Sequence, residues 1–526
     1  MLSCPVPYEF SIGSRRSKDT SQPQHTARTL NRENVLVLAL LLLLLAVSSV
    51  PSLVWRTLWY DELLQFYVSS LGSAGQVMHA LANSPPTTDP ALSYLLSHFS
   101  MRLLGQSAMA FRLPSFIGYL VGIVSFFFFL TRRFGPICAG LAITGLYVGG
   151  INYYASEGRP YGLVIGACGL SLLAWQKCRE YKSRWWLAVL AIALAIGFNS
   201  HYFAILLGLP ILVAEAYCGI RERRPDWRLI GTVFLSYASC VFWIPFWNAA
   251  FEFRPVIGNR IGAFEASFGV YAELLAAWYL AFVLVLAISD CFFASPRTSD
   301  ENEPPVPELL AMASLVLLPF FGYALAKFGS GLFIPRYTLA TAIGCVGIVA
   351  ALLFRTAHRN PMILYSAFYA MVLIVMGHGV LQAKWIHGDR ARLALRTEHL
   401  LEGPAPIVLD DPYLFLPAFH YARPELRRKL LCPLDQNVTM HRIGSATMVL
   451  SLRSLSRLKA FSGVFCSLGS LKDDGKPFEV VETPDHSHAW VLPEFLSSGW
   501  TVELERTDGA DRLYSVTVAD NPFGRR

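Results

Sequence analysis

Two adjacent carboxylates, Asp61 and Glu62, lie a few residues past the first long apolar run and directly follow Trp59 and Tyr60. A carboxylate at the edge of hydrocarbon is costly unless it is hydrated or paired, so acids at the end of a span indicate a functional site. The alternative is that the two rings form an interfacial aromatic belt and the acids begin a solvated helix. Neighbours on a helix point about 100° apart, so we expect one acid to act as a general base and the other to support it.

A second polar segment, Glu157-Gly158-Arg159-Pro160-Tyr161, comes immediately before another apolar run. The residue before a proline is pushed out of the helical region, so Glu157 and Arg159 are expected in a turn at the end of the span. A guanidinium fixed there requires an anion. A phosphate fits its forked geometry, and an internal ion pair with Glu157 or Asp61 is the alternative.

Further polar side chains occur at the ends of other apolar runs. By themselves the histidine and the arginines have structural explanations, such as a satisfied buried imidazole or a side chain that reaches the interface. The residues in question are Asp89, His201, Tyr202, Arg254, Arg260, Arg336 and Tyr337.

A carboxylate base with several arginines and a histidine at one membrane boundary is what transfer from a lipid-linked phosphate requires. Transporters carry similar charges, so a transporter or lipid flippase is the alternative function. A divalent cation is a further possibility, with Asp61, Glu62, Asp89 and His201 as candidate ligands, although no His/Cys spacing typical of structural zinc occurs.

The composition places these residues in a polytopic membrane protein. The 526 residues are 54% hydrophobic and 15% charged, and the mean hydropathy is +0.43, which excludes an ordinary soluble protein of this size. The net charge of +7 comes from short basic clusters between apolar runs. This distribution follows the positive-inside rule and argues against nucleic-acid binding.

The apolar runs predict about eleven membrane spans. The residues before them, 1–34, are polar and basic, and we expect them in the cytoplasm. The spans themselves are expected in the cell (inner) membrane. Every alternate loop is then cytoplasmic, and all of these loops except the acidic 294–308 are basic. The polar residues named above share the extracytoplasmic face. The predicted spans are 35–55, 112–131, 137–153, 160–176, 185–199, 203–219, 229–247, 268–290, 309–327, 336–354 and 361–381.

Two regions are predicted outside the membrane. The first outer loop, 56–111, contains amphipathic helical patterns at 63–82 and 91–104. Residues 382–526 read as an extracytoplasmic α/β domain, with helices near 383–401 and 413–421. Cys432 and Cys466 in this region are equally compatible with a disulfide or with two free thiols. Its predicted strands are 407–410, 446–452, 464–468, 489–492, 501–505 and 513–518.

Several of these segments occur in an order that resembles the GT-C membrane glycosyltransferases. The likeness covers about residues 35–380 and is greatest to bacterial family 39 protein O-mannosyltransferase-like enzymes and lipid A aminoarabinose transferases. The segments are Trp59-Tyr60-Asp61-Glu62, Leu92-Ser93-Tyr94-Leu95-Leu96, Phe111-Arg112-Leu113-Pro114, Glu157-Gly158-Arg159-Pro160-Tyr161, Ser200-His201-Tyr202-Phe203 and Pro335-Arg336-Tyr337.

The resemblance implies an inverting transferase that moves a sugar from a polyprenyl phosphate to an acceptor at the extracytoplasmic face. Under this resemblance Asp61 is the base and Glu62 supports it. The family's arginine and Arg-Tyr elements correspond to Arg159, Arg336 and Tyr337, which we expect to bind the donor phosphate together with Arg254 and Arg260. Supporting or substrate-binding roles are expected for Asp89, Glu157, Tyr161, His201 and Tyr202. Relatives usually have an acidic or histidine residue immediately before a Pro-Pro-Leu or Lys-Pro element, and Asp89 is the nearest match to that residue. The order here, Pro85-Pro86-Thr87-Thr88-Asp89-Pro90, departs from that pattern.

Overall fold

The structure is a computed structural model that describes residues 31–257, 264–292, 306–359, 361–399, 403–482, 488–508 and 511–517. Its first 17 helices precede every strand. They are α1 (Arg32–Trp55), α2 (Tyr60–Ser69), α3 (Ala74–Asn83), α4 (Leu92–Leu104), α5 (Ala108–Phe134), α6 (Pro136–Val148), α7 (Tyr161–Tyr181), α8 (Arg184–Ser200), α9 (Gly208–Arg221), α10 (Trp227–Tyr237), α11 (Ile244–Phe251), α12 (Ala266–Leu274), α13 (Ala277–Phe292), α14 (Val306–Val316), α15 (Leu318–Leu325), α16 (Ala340–Arg359) and α17 (Pro361–His399).

Within the described residues, five helical stretches are long and apolar enough to cross a membrane, or seven if two bent pairs each count as one. The bent pairs, Ser267–Leu274 with Ala277–Ile288 and Val306–Val316 with Leu318–Gly329, turn by 84° and 48°. Three other apolar helices, including α6 and α8, are shorter. Helices therefore occupy every predicted span, while the count of about eleven stays a prediction.

Many large apolar side chains on these helices are exposed, among them Phe234, Leu235 and Phe242. In water such a surface would drive aggregation, whereas lipid accommodates it without cost.

Helices α5 and α7 cross at very short range because glycines line their contact. A Cβ atom at Gly166 would lie 2.4 Å from the carbonyl oxygen of Gly118, and one at Gly162 would lie 2.1 Å from that of Ser115. Only small residues allow membrane helices to approach so closely. Near this crossing, Arg112 close to the start of α5 and the Gly158 N–H just before α7 both bind the Glu62 carboxylate.

The first outer loop forms three helices, α2, α3 and α4. The predicted helix at 63–82 is in fact two, because the chain turns through Ser70–Ser73 and restarts at α3, where the Ser73 hydroxyl accepts a hydrogen bond from the Gln76 N–H. The predicted helix at 91–104 is confirmed as α4. The Trp59 N–H and the Glu62 carboxylate cap the start of α2.

The strands form one six-stranded sheet in the order β3-β2-β1-β4-β6-β5. Strands β3, β2, β1 and β4 pair with their neighbours in parallel. Strand β6 pairs antiparallel with both β4 and β5. We call residues 403–517 the C-terminal sheet unit. Its elements are β1 (Ile407–Leu409), α18 (Pro412–Tyr421), α19 (Pro424–Arg427), β2 (Leu430–Pro433), α20 (Gln436–Ile443), α21 (Thr447–Ser456), β3 (Phe465–Cys466), α22 (Leu468–Asp474), β4 (Phe478–Glu482), α23 (Val491–Ser497), β5 (Thr501–Asp508) and β6 (Asp511–Thr517).

Four of the six predicted strands are confirmed. The segments predicted as strands at 446–452 and 489–492 lie instead in α21 and at the start of α23, and β2 and β4 were not predicted. Short apolar runs do not distinguish a buried strand from a buried helix by periodicity alone. Helix α17 continues from the last predicted span to His399, so the predicted boundary between 381 and 382 falls inside one helix.

Cys432 on β2 and Cys466 on β3 are free thiols on neighbouring strands. The sheet unit does not stand apart from the helices. One core cluster joins Leu63 and Phe66 of α2 to Phe419 of α18 and Leu452 of α21.

Candidate active site

Asp61 lies in the first turn of α2, where its carboxylate forms an ion pair with Arg336 from the distant 3-10 helix Pro335–Thr338. The Oδ2 to Nη2 distance is 3.1 Å, and the side chains are 16% and 24% exposed. The Arg336 guanidinium also lies 5.9 Å from the centre of the Trp59 ring. Asp61 is therefore paired but open to an incoming group.

Asp89 pairs with Arg159 at 3.0 Å, and its other oxygen lies 3.7 Å from Nε2 of His201. The Thr87 hydroxyl donates to Asp89 at 3.1 Å, and Thr87 is 2.7 Å from the hydroxyl of Tyr94. Burial lowers the pKa of His201 to about 4, with Asp89 opposing that effect, so the imidazole is neutral at pH 7. The internal partner of Arg159 is thus Asp89, not Glu157 or Asp61.

Aromatic rings join these two ion pairs into one cluster. The Arg159 and Arg336 guanidiniums each lie 5.9 Å from the centre of the Tyr161 ring. The Tyr337 ring packs 4.9 Å from that of His201. We call Asp61, Asp89, Arg159, Tyr161, His201, Arg336 and Tyr337 the central cluster.

Several polar atoms of the central cluster are buried without a hydrogen-bond partner among the described residues. They are Nε and Nη1 of Arg159, Nε of Arg336 and the hydroxyl of Tyr161. Arg159 and Tyr161 are only 6% and 1% exposed. Because an unpaired buried donor is costly, this set of N–H and O–H groups is arranged for an anionic or strongly accepting ligand.

Glu157 borders the central cluster and is 1% exposed. One carboxylate oxygen accepts a hydrogen bond from Nε1 of Trp59 at 3.1 Å, and the other has no partner among the described residues. Burial and the nearby Glu62 carboxylate raise the pKa of Glu157 to about 7. Its charge therefore changes near neutral pH.

Glu62 points away from Asp61 into a fully buried clamp. Its carboxylate accepts hydrogen bonds from Nε and Nη2 of Arg112 at 2.7 and 2.6 Å, from the Gly158 N–H at 2.7 Å and from Arg56 at 3.3 Å. Burial raises the pKa of Glu62, and the Arg112 and Arg56 guanidiniums outweigh that effect, so the pKa lies below its usual value. The expected separation of the two acids is confirmed, and Glu62 holds the backbone around the site together.

Arg112 is the important residue that the sequence analysis did not single out. It is 0% exposed, and its Nη atoms also donate to the carbonyls of Ser52, Arg56 and Thr57 at 3.2, 2.8 and 3.1 Å. The available signal was an arginine within the first turn of an otherwise apolar helix, since a charge in that position requires a partner.

Three further residues were predicted for the site. The Tyr202 ring packs on Phe198 and Trp247, with ring centres 6.1 and 6.0 Å apart. Arg254 begins the 3-10 helix Arg254–Val256, but its side chain lies outside the described part of the chain. Arg260 also lies outside the described residues.

The four candidate metal ligands do not form one site. Asp61 and Glu62 belong to separate ion pairs, and Asp89 and His201 have Arg159 as their charged neighbour. In the part of the chain that the structure describes, no three His, Cys, Asp or Glu side chains are grouped so that they could hold a metal ion.

One protein family and several solved structures are similar to this chain. Residues 86–247, which include Asp89, Arg112, Arg159 and His201, match the family model described as "Dolichyl-phosphate-mannose-protein mannosyltransferase". No curated protein sequence matches the chain significantly.

Two crystal structures of ArnT from Cupriavidus metallidurans are similar along nearly the whole chain. The apo form has a TM-score of 0.54 at 13% identity, covering 91% of this chain and 97% of ArnT. The form bound to undecaprenyl phosphate has a TM-score of 0.52 at 13% identity, with the same 91% and 97% coverage. The chain is a multi-pass membrane protein with the fold of the GT-C superfamily of membrane glycosyltransferases, which confirms the resemblance found in its sequence.

Proposed function

We propose that the chain transfers a sugar from a polyprenyl-phosphate donor to an acceptor at the extracytoplasmic face of the inner membrane, with inversion at the sugar carbon. The observation that carries this proposal is the set of unpaired donors on Arg159, Arg336 and Tyr161, which lie beside the carboxylate of Asp61. A negatively charged leaving group and a nucleophile that must lose a proton are the two requirements of such a transfer.

The acceptor hydroxyl or amine attacks the anomeric carbon while its proton passes to Asp61. The bond between that carbon and the phosphate oxygen breaks on the opposite face, and the electron pair leaves with the phosphate. The free N–H groups of Arg159 and Arg336 then stabilise the developing charge.

The ion pair between Asp61 and Arg336 couples donor binding to the base. A phosphate that takes Arg336 as its partner competes with Asp61 for that guanidinium, so donor binding leaves the Asp61 carboxylate free to contact the acceptor. The ArnT structure with undecaprenyl phosphate supports a polyprenyl-phosphate donor for this fold.

Transfer is tested with purified protein in lipid vesicles, using an extract of undecaprenyl-phosphate sugars and mass spectrometry of the acceptors. Asp61→Asn is expected to lower kcat by about 10²–10⁴-fold, the usual contribution of a general base. Arg159→Lys keeps a charge but loses the forked donors, so it should also raise the KM for the donor. Asp473→Asn, an exposed acid on α22, serves as the control.

If both site variants transfer sugar as well as the wild type, this site assignment is wrong. If the protein moves a polyprenyl-phosphate sugar across the vesicle membrane without forming a glycosidic bond, the transporter alternative is correct instead.

A further inference from the structure

The segment that leads into Asp61 depends on other parts of the chain for its hydrogen bonds. Residues 56–59 have no regular secondary structure between α1 and α2. Buried backbone groups in such a segment need partners from elsewhere. Arg112 binds its carbonyls, and the Leu58 N–H donates to the hydroxyl oxygen of Tyr421 at 2.7 Å. Tyr421 is the last residue of α18 in the C-terminal sheet unit.

Helix α21 of the same unit reaches two parts of the site. The Tyr60 hydroxyl, next to Asp61, donates to the Met448 carbonyl at 3.4 Å. The Ser454 hydroxyl donates at 2.9 Å to the carbonyl of Pro85, four residues before Asp89. Just past this helix, Arg457 donates to the Asn83 carbonyl at 3.2 Å.

A third loop is attached just before α21. The Ser445 hydroxyl and the Ala446 N–H both donate to the Val256 carbonyl, at 3.1 and 2.9 Å. The sheet unit therefore binds backbone groups in three separate connections of the helical part. Two of them lead directly to members of the central cluster.

Apolar packing supports these polar contacts. The rings of Tyr60 and Tyr413 lie 4.6 Å apart, and the Phe66 ring packs 5.3 Å from that of His420. Leu58 itself is 1% exposed. Because Leu58 is buried, its N–H has little access to solvent that could replace Tyr421, although Tyr421 itself is 37% exposed.

We propose that the C-terminal sheet unit is a positioning part of the active site, in which Tyr421 fixes the segment before Asp61 and Ser454 fixes the turn before Asp89. The inference rests on the proposed function, since it treats Asp61 as the base and Asp89 as the partner of the phosphate-binding Arg159. Neither positioning residue touches the central cluster itself, so each acts through the backbone of a loop. A displacement of about 1 Å at a reacting group is enough to lower a rate by up to about 10²-fold.

The test compares Tyr421→Phe and Ser454→Ala with the wild type and with Tyr514→Phe. Tyr514 is a matched control because its hydroxyl donates to Glu482 within the sheet, at 2.9 Å. Four quantities are measured on the full-length protein in lipid vesicles: kcat, the KM for the donor, hydrogen exchange of the peptide that covers residues 56–62, and the thermal unfolding midpoint.

Tyr421→Phe is expected to lower kcat roughly tenfold with the donor KM unchanged, because the base is displaced while the phosphate donors remain. Its Leu58 amide should exchange faster, since that N–H loses its acceptor. Ser454→Ala should lower kcat and raise the donor KM, and the double variant should be slower than either. Tyr514→Phe should leave kcat and the exchange of residues 56–62 at their wild-type values.

An unchanged kcat or an unchanged exchange in Tyr421→Phe overturns the inference, as does an equal loss in Tyr514→Phe. The exchange measurement does not need activity. If the wild type transfers no sugar, the proposed function is refuted, and faster exchange in Tyr421→Phe then still supports the contact between the sheet unit and the segment before Asp61.

Discussion

Replacing Arg112 by methionine should lower the free energy of unfolding by about 3–5 kcal/mol, the usual cost of removing one partner from a buried ion pair. The pair is an extreme case, because both side chains are 0% exposed and two hydrogen bonds of 2.7 and 2.6 Å join them. The variant also leaves the carbonyls of Ser52, Arg56 and Thr57 without their guanidinium donor. Arg56 and the Gly158 N–H still bind Glu62, so the loss stays within that range.

The measurement is thermal and denaturant unfolding of the protein in lipid nanodiscs, for Arg112→Met, Glu62→Gln and the double variant. The double variant removes both charges and should lose less than the sum of the two single losses, by more than about 1 kcal/mol. Arg428→Met is the control, since Arg428 and Glu425 form an exposed pair with a 4.0 Å separation. Surface pairs of this kind contribute little to stability.

Two results would refute this reasoning. One is a loss in Arg112→Met no larger than in Arg428→Met. The other is strict additivity in the double variant, which would mean that Glu62 and Arg112 do not depend on each other.

The remaining predictions concern a titrating acid and a helix crossing. Because the pKa of Glu157 is about 7 in the folded chain and about 4.5 in an unfolded one, the folded state binds more protons between these values, and the wild type should lose stability as the pH rises from about 4.5 to about 7. Glu157→Gln should lack this loss, and identical pH profiles of the unfolding midpoint would contradict the prediction. Gly166→Ala should destabilise the protein by about 1–3 kcal/mol, because its Cβ would meet the Gly118 carbonyl oxygen. Gly377→Ala on α17, where nothing lies within 4 Å, should be neutral or stabilising; equal midpoints for the two alanine variants would rule out a tight crossing.

The chemistry-bearing residues were predictable because they interrupt a nearly continuous apolar pattern. Asp61, Arg159, His201 and Arg336 are charged or ionisable groups at the ends of apolar runs, and Asp89 lies in the first outer loop. The parity of the runs assigned all five to one face. Their contacts confirm that these residues lie together. That the shared face is extracytoplasmic stays a prediction.

Their pairing was not predictable. The sequence left Arg159 with Glu157 or Asp61 as possible internal partners, whereas the structure pairs it with Asp89. Ion pairs between segments depend on side-chain directions and helix rotations, and hydropathy contains neither. The same holds for Arg112, whose motif was visible but whose partner Glu62 is 50 residues away.

The sequence by itself indicated a polytopic membrane protein, its helical architecture and the acids and arginines of the candidate site. This was possible because an unpaired polar side chain in lipid is costly, so the few that occur near apolar runs stand out. Only the tertiary structure shows why the two acids differ in their surroundings. Glu62 is buried against α5 and the turn at Gly158, where its carboxylate pairs with Arg112. The Asp61 side chain is still partly exposed beside Arg336. The tertiary structure also placed the sheet unit on the loops of the site, because contacts such as Leu58 with Tyr421 join residues 363 positions apart and leave no local pattern in the chain.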